Sequence, residues 1–365
     1  MINVQFFPSK RIAWYMARTF VLRSVAVLIA LVVILQTLDL LGESGKILRV
    51  AGNTDSDLWY YVSLRFPQLV ARFLPFSVLL GTLITLATLN QNSEIVSMKA
   101  AGISAHQIIA PLVLASLFIA AGTFIFQERI VTRATATLSD WQSVDYARIQ
   151  SKGDVTTNAW VRNGDDLILA RQVSGQGAET RLHDISVYER NGGTLHSIVT
   201  AKNGRPAEGG WLLEEVERFD LARTVTTRQP TMVAGAGVEP NQFTLADVKA
   251  DEQDFMTLAR SIEDLKAAGM STGALEAGLW HKISGPLSVV LMPLLAAVAA
   301  FGLARAGQLF VRAVIGMALG FAYFVVDNFA LAMGNLGAYP PVLAAWAPFA
   351  LFFLIGEAVL IRTEE

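Results

Sequence analysis

The sequence predicts a mostly helical membrane protein, in which six spans in two groups of three flank an inserted antiparallel β domain. Three observations carry that expectation. The 365 residues are 53% hydrophobic, with a mean hydropathy of +0.44, and only 16% are charged, against roughly a quarter in soluble domains. Six apolar stretches are each near the ~20 residues that carry a helix across ~30 Å of hydrocarbon. Between the third and the fourth lies a long polar stretch rich in turn residues.

The spans fall at residues 24–41, within 59–89 (with Pro67 and Pro75), 108–126, 283–303, 313–333 and 342–361. Residues 1–126 therefore form one transmembrane group, 127–272 the inserted domain with a short amphipathic helix, and 273–365 the second group. The first stretch is too long for a removed leader and has no small-residue cleavage pattern, so it reads as a retained helix. Lys10, Arg11, Arg18 and Arg23 precede or open it; Lys99 follows the second span, Arg305 and Arg312 bracket the fourth-to-fifth turn, and Arg362 follows the sixth. The opposite turn, GNLGAYPP, carries no charge. Basic residues collect on the cytoplasmic side, which places both termini and the 90–107 segment in the cytoplasm and the insert outside. Trp59 and Trp280 then sit at the outer interface, where indoles find both oil and water.

Composition also excludes. Cysteine is absent, which removes disulfides, thiolate metal sites and cysteine nucleophiles. A net charge of −2 implies no nucleic-acid partner. No G-x-x-x-x-G-K-[ST] occurs, and GQGAETRLHD lacks the lysine and hydroxyl residue of a phosphate loop, so energy must come from a partner or an ion gradient. His183 and His196 lack ligand spacing; no metal or cofactor is expected in this chain. An intramembrane enzyme would need a paired nucleophile and base, which the spans lack. A receptor sensing through the outer domain would need a cytoplasmic output domain, and the cytoplasmic segments are short.

In the insert, Asn163-Gly164, Asn191-Gly192 and Asn203-Gly204 are hairpin signals, because both residue types tolerate the positive φ of tight turns. Between them run DLILARQV, DISVYER, SIVTAK and WLLEEVERFDL, the pattern of a β-sandwich or partial barrel. Leu258, Ile262 and Leu265 mark the amphipathic helix, ended by Gly269.

The segment NSEIVSMKAAG between spans two and three predicts a short helix over 93–102. Asn92 or Ser93 supplies a side-chain cap, Glu94 a favourable first-turn charge and Gly102 the stop. Ser104-x-x-Gln107 is a capping box that opens the third span. Ile95 and Met98, with Lys99 nearby, offer i, i+3 anchors for docking into a soluble partner; an ordinary interfacial loop helix is the alternative.

Polar groups at membrane depth are costly and mark function. Arg65, Gln68 and Arg72 share a face of span two, with Arg129 and Arg133 extending the basic rim, and this stripe suits an acidic head group; snorkelling is the alternative. Asp327, inside span five, must be paired, buried or protonated, as a structural partner or as a proton-coupled acid. Gly316 and Gly320 form a G-x-x-x-G that permits close helix approach.

NSEIVSMKAAGISAHQI, FVRAVIGMALGFAYFVVDNF, GLWHKISGPLSVVLMPLLA and the six-span order with one insert resemble the LptF/LptG permease family of lipopolysaccharide export, on the LptG side of it. The resemblance spans essentially the whole chain and implies a permease that pairs with an LptF-like second permease and sits on an LptB-like ATPase dimer, which holds ATP and Mg. It implies an outside β-jellyroll that hands lipid to an LptC-like component and a periplasmic bridge, in the bacterial inner membrane. Glu94 takes the place of the family's ATPase-contacting glutamate, and Gly316 and Gly320 fall on a helix that lines the family's lateral gate. The family's basic residues late in span one are replaced here by Gln36, Gly42 and Glu43, which alters the expected charge of the cavity.

Overall fold

Among the described residues, six helices are long and apolar enough to cross a membrane. The computed structural model describes residues 8–147, 155–175, 179–192, 194–207, 209–240, 243, 248–267, 270–301 and 309–362. Its helices are α1 (Lys10–Arg49), α2 (Asp55–Gln91), α3 (Glu94–Ala100), α4 (Ala105–Phe126), α5 (Thr132–Ser143), α6 (Phe255–Ala267), α7 (Gly273–Phe301), α8 (Leu309–Asn335) and α9 (Pro341–Arg362). A π-helical turn, Gln127–Val131, joins α4 to α5 without a break. Arg305 and Gly269 lie outside the described residues.

The chain divides into two compact units: Met1–Ala147 with Ala250–Ala259 and Ser271–Glu365, and Arg148–Lys249 with Arg260–Met270. The sequence places a boundary at residue 126; in the fold, helix continues to Ser143 and the unit to Ala147. The reason is packing. Leu138 and Trp141 of α5 are buried with Ile47, Tyr61 and Tyr146, and Trp141 and Tyr146 meet edge to face at 5.2 Å. The same cluster carries α1 past residue 41 to Arg49, helped by a Glu43–Lys46 pair at 2.8 Å.

The helical core is built from one face of each span: Met16 and Phe20, Leu79 and Leu86, Ile108 and Leu112, Leu291 and Leu295, Tyr323 and Phe352. Helix α7 is the most enclosed span and α1 the least, leaving Ile29, Val33, Ile34, Leu38 and Leu41 exposed on α1. Where α1 and α2 meet, a Cβ on Gly81 would lie 2.2 Å from Ser24 Oγ and 2.7 Å from Ser24 Cα, so the two backbones come together through two small residues.

The second unit holds a six-stranded antiparallel sheet in strict chain order: β1 (Val155–Asn163), β2 (Asp166–Ser174), β3 (Arg181–Asn191), β4 (Thr194–Ala207), β5 (Gly210–Asp220) and β6 (Val225–Ala234). Every neighbour pair is a hairpin, and Gly164 (φ +61°) and Gly192 (φ +57°) occupy two of the turns as expected. Asn203-Gly204 does not turn. It sits inside β4, paired with His183 and Leu182 on one side and Glu214 and Leu213 on the other. Glycine is needed there for space, since a Cβ would lie 2.7 Å from Ile185 Cδ1 and 3.2 Å from Leu213 Cδ2. One face of the sheet buries Ile168, Ala170, Ile185, Val199 and Leu213 with Trp211, whose indole N–H donates to the Val238 carbonyl at 3.0 Å. In α6, Leu258, Ile262 and Leu265 are buried, as their spacing predicts.

Candidate functional site

Helix α3 is fixed at both ends: the glycine stop and the capping box are as the sequence suggests, and the N-cap is not. Its N-cap, Ser93, is left-handed at φ +58° and makes no side-chain cap; Asn92 donates instead to the Glu94 carboxylate at 3.3 Å. The Ser93 carbonyl takes both the amide and the hydroxyl of Ser97, each at 3.0 Å. At the exit Gly102 stands at φ +82°, with Ile103 N–H on the Met98 carbonyl at 3.1 Å and Gly102 N–H on that of Lys99 at 3.0 Å. These are the two bonds of a Schellman stop, which satisfies otherwise orphaned carbonyls. The capping box follows at once: Ser104 N–H on Gln107 Oε1 at 3.0 Å and Gln107 N–H on Ser104 Oγ at 3.2 Å. A seven-residue helix is thereby locked between α2 and α4.

Its faces are reversed from the anchoring expected of Ile95 and Met98. Ile95 is 5% exposed and Met98 packs beside it against the helical core, so these two hold α3 to its own chain. The outward surface comprises Val96, 61% exposed, and Lys99, with Glu94 half-buried at its edge. The Tyr15 hydroxyl donates to Glu94 Oε1 at 3.4 Å, tying that carboxylate to the start of α1.

The second feature is a cavity of about 460 Å³ inside the helical unit. Gln68, Arg72 and Phe76 of α2, Gln127 in the π turn, His281 of α7 and Asp327 of α8 are among its walls. Asp327 is 9% exposed; the imidazole of His281 lies 3.9 Å away, so a histidine rather than an arginine or a backbone group is its ionic neighbour. Phe76 and Phe324 close one side, rings 5.2 Å apart.

The basic stripe expected on α2 is divided by this geometry. Gln68 and Arg72 reach the cavity; Arg65 does not, because Asp39 of α1 captures it through Nε at 3.2 Å and Nη2 at 3.1 Å, while its Nη1 donates to Gln68 Oε1 at 2.9 Å. Arg133 is exposed on α5 and is not a wall; Val131, Thr132 and Thr135 take that place. The Gly316/Gly320 face is likewise consumed within the chain. A Cβ at Gly316 would meet Leu83 Cδ2 at 2.7 Å, and one at Gly320 would meet Leu79 Cδ2 at 2.2 Å, so α8 lays this face on α2.

Sequence reasoning passed over Asp39, Tyr61, His281 and the pair Lys282–Glu128. Asp39 and His281 carry the same signal as Asp327, a polar group in or beside an apolar run. Lys282 is buried, 3.1 Å from Glu128 Oε1, and the other Glu128 oxygen accepts the Phe255 N–H at the start of α6. Tyr146, held by Glu43 and Gln142, has its phenol pushed above the ordinary range by burial.

Comparison with known proteins agrees with this architecture. The family model for the lipopolysaccharide export system permease LptF/LptG matches residues 14–362. The chain is 26% identical over 354 residues to the lipopolysaccharide export system permease protein LptG of Escherichia coli strain K12, covering 94% of this chain and 95% of that one. It is 25% identical over 330 residues to LptG of Haemophilus influenzae, covering 87% and 90%.

Proposed function

We propose that this chain, which belongs to the lipopolysaccharide export system permease LptF/LptG family, is the LptG-type half of an ATP-driven exporter that draws lipopolysaccharide from the outer leaflet of the inner membrane and passes it to a periplasmic bridge. The similarity to two LptG proteins along nearly all of the chain supports that half over the LptF one. Its partners are then an LptF-like permease, an LptB-like ATPase dimer carrying ATP and Mg, and an LptC-like component. Both termini and α3 face the cytoplasm, and the sheet faces the periplasm, in keeping with the basic short loops.

The observation that carries the mechanism is the double fixation of α3. A rigid seven-residue helix, bonded at both ends and nailed to the core by Ile95, moves as one body with α2 and α4. A partner that closes on nucleotide presses the outward surface of Glu94, Val96 and Lys99. The displacement reaches the cavity through α2, which carries Gln68 and Arg72 as contacts for an acidic head group. Glu94→Ala tests this: the assembled complex should keep its thermal stability within about 0.5 kcal/mol, as surface changes do, while ATPase stimulation and lipid release fall together. Full stimulation and transport by the variant would overturn the coupling role.

A further inference from the structure

Arg72 and Asp327 face each other across the cavity without pairing with one another; Asp251 and His281 also line it. The contacts of Gly320 with Leu79 and of Gly316 with Leu83 fix an antiparallel register between α8 and α2. Seven residues onward from Gly320 is Asp327, and seven residues back from Leu79 is Arg72, so the two charged groups come level. Both line the same space, yet among the described residues Asp327 has only His281 as an ionic neighbour, at 3.9 Å, and Arg72 has none. A buried single charge such as Asp327 costs several kcal/mol, while Arg72 is exposed. An acid and a base at one level, kept apart by a space of about 460 Å³, form a site for an occupant carrying the complementary charges.

The neutral groups beside each charge agree in sign. At the Arg72 end the Gln68 carbonyl is already taken by Arg65 Nη1, which leaves the Gln68 amide N–H groups to donate. At the Asp327 end the Asn328 amide donates to the Phe324 carbonyl at 2.8 Å, which leaves Asn328 Oδ1 to accept. A donor, Gln68, stands beside the cation, and an acceptor, Asn328 Oδ1, accompanies the carboxylate together with the His281 imidazole. We propose that the cavity binds the phosphate–amine zwitterion of an ethanolamine-phosphate head group, with phosphate on Arg72 and Gln68 and ammonium on Asp327 and Asn328. A guanidinium grips phosphate through two N–H groups, and an ammonium offers three donors to oxygen acceptors. At about 460 Å³ the cavity is large enough for that head group.

This deepens the reading of Gln68 and Arg72 as head-group contacts and rests on it. Two lipids present the chemistry: a phosphatidylethanolamine, and a lipopolysaccharide whose phosphates are capped with ethanolamine phosphate. The full chain, with the subunits that co-purify, is equilibrated with phosphatidylethanolamine against phosphatidylglycerol, and separately with capped against uncapped lipopolysaccharide. Retained lipid is counted by native mass spectrometry. The aminated member of a series should be held about tenfold better, the worth of one charge-assisted hydrogen bond, and Asp327→Asn should abolish that preference. The series that shows it names the source. Equal retention of aminated and plain phosphates by the unmodified chain overturns the zwitterion site and leaves the head-group contacts standing. Retention no better than that of Arg72→Gln for every lipid overturns both.

Discussion

Arg65 clasps Asp39 across the seam of α1 and α2 through two nitrogens, while the Tyr61 hydroxyl donates to the same carboxylate at 2.6 Å. Removing one partner leaves the other half-buried charge with poorer company. Asp39→Ala should therefore cost about 2–3 kcal/mol, read from thermal unfolding in detergent. Adding Arg65→Met should return part of the loss. Strictly additive losses would show that the two groups do not cooperate.

Gly320 should tolerate no side chain while Leu79 keeps its place. Gly320→Ala puts a methyl 2.2 Å from Leu79 Cδ2 and should cost about 1–3 kcal/mol, as overpacking does. In the background of Leu79→Ala the same change should be tolerated with ~1 kcal/mol less damage. Equal damage in both backgrounds would place the conflict elsewhere.

Neighbouring residues of α3 should separate stability from association. Ile95→Ala empties a core position and should lower stability by about 2–5 kcal/mol. Val96→Ala removes an exposed side chain and should change stability by no more than about 0.5 kcal/mol. Val96→Asp should nonetheless reduce co-purification of the proposed ATPase partner. Undiminished co-purification would remove Val96 from the contact.

How far the sequence reaches is plain at this helix. Its existence, its glycine stop and the capping box are local chemistry and can be read residue by residue. Which apolar residue faces inward cannot, because Ile95 and Val96 are adjacent and both apolar on a helix of seven residues. The same division runs through the molecule. Spans follow from a solvent requirement that acts along the chain. The Asp39–Arg65 pair and the Gly320–Leu79 contact join residues on different helices and depend on how those helices cross. Asn203-Gly204 misleads for a related reason: the dipeptide suits a turn, but pairing along both edges of β4 and the demand for space near Ile185 decide the outcome.

Acid should loosen the start of α6. Asp254 accepts the Thr257 N–H at 3.0 Å and the Thr257 hydroxyl at 2.9 Å, and those bonds hold its carboxyl below the ordinary range. A depressed folded-state pKa contributes stability above the unfolded carboxylate pKa of about 3.9, and that contribution is lost as pH falls through the folded value. Amide exchange in α6 should therefore accelerate below about pH 4. Asp254→Ala should show the loosening at neutral pH, at a cost of about 1 kcal/mol, and should remove the acid response. An unchanged acid response in the variant would assign it to another group.

The wide turn at Gln127–Val131 has a bearing on how this protein can change over generations. Thr123, Gln127, Val131 and Thr135 recur every fourth residue along one cavity wall, a beat that an ordinary helix would carry steadily around its axis. The wider turn resets that phase. Losing a single residue between Gln127 and Val131 would swing everything after it by roughly 100°, taking Thr135 from the cavity and Trp141 from Tyr60 together. Length, more than residue identity, is what inheritance must protect in these five positions.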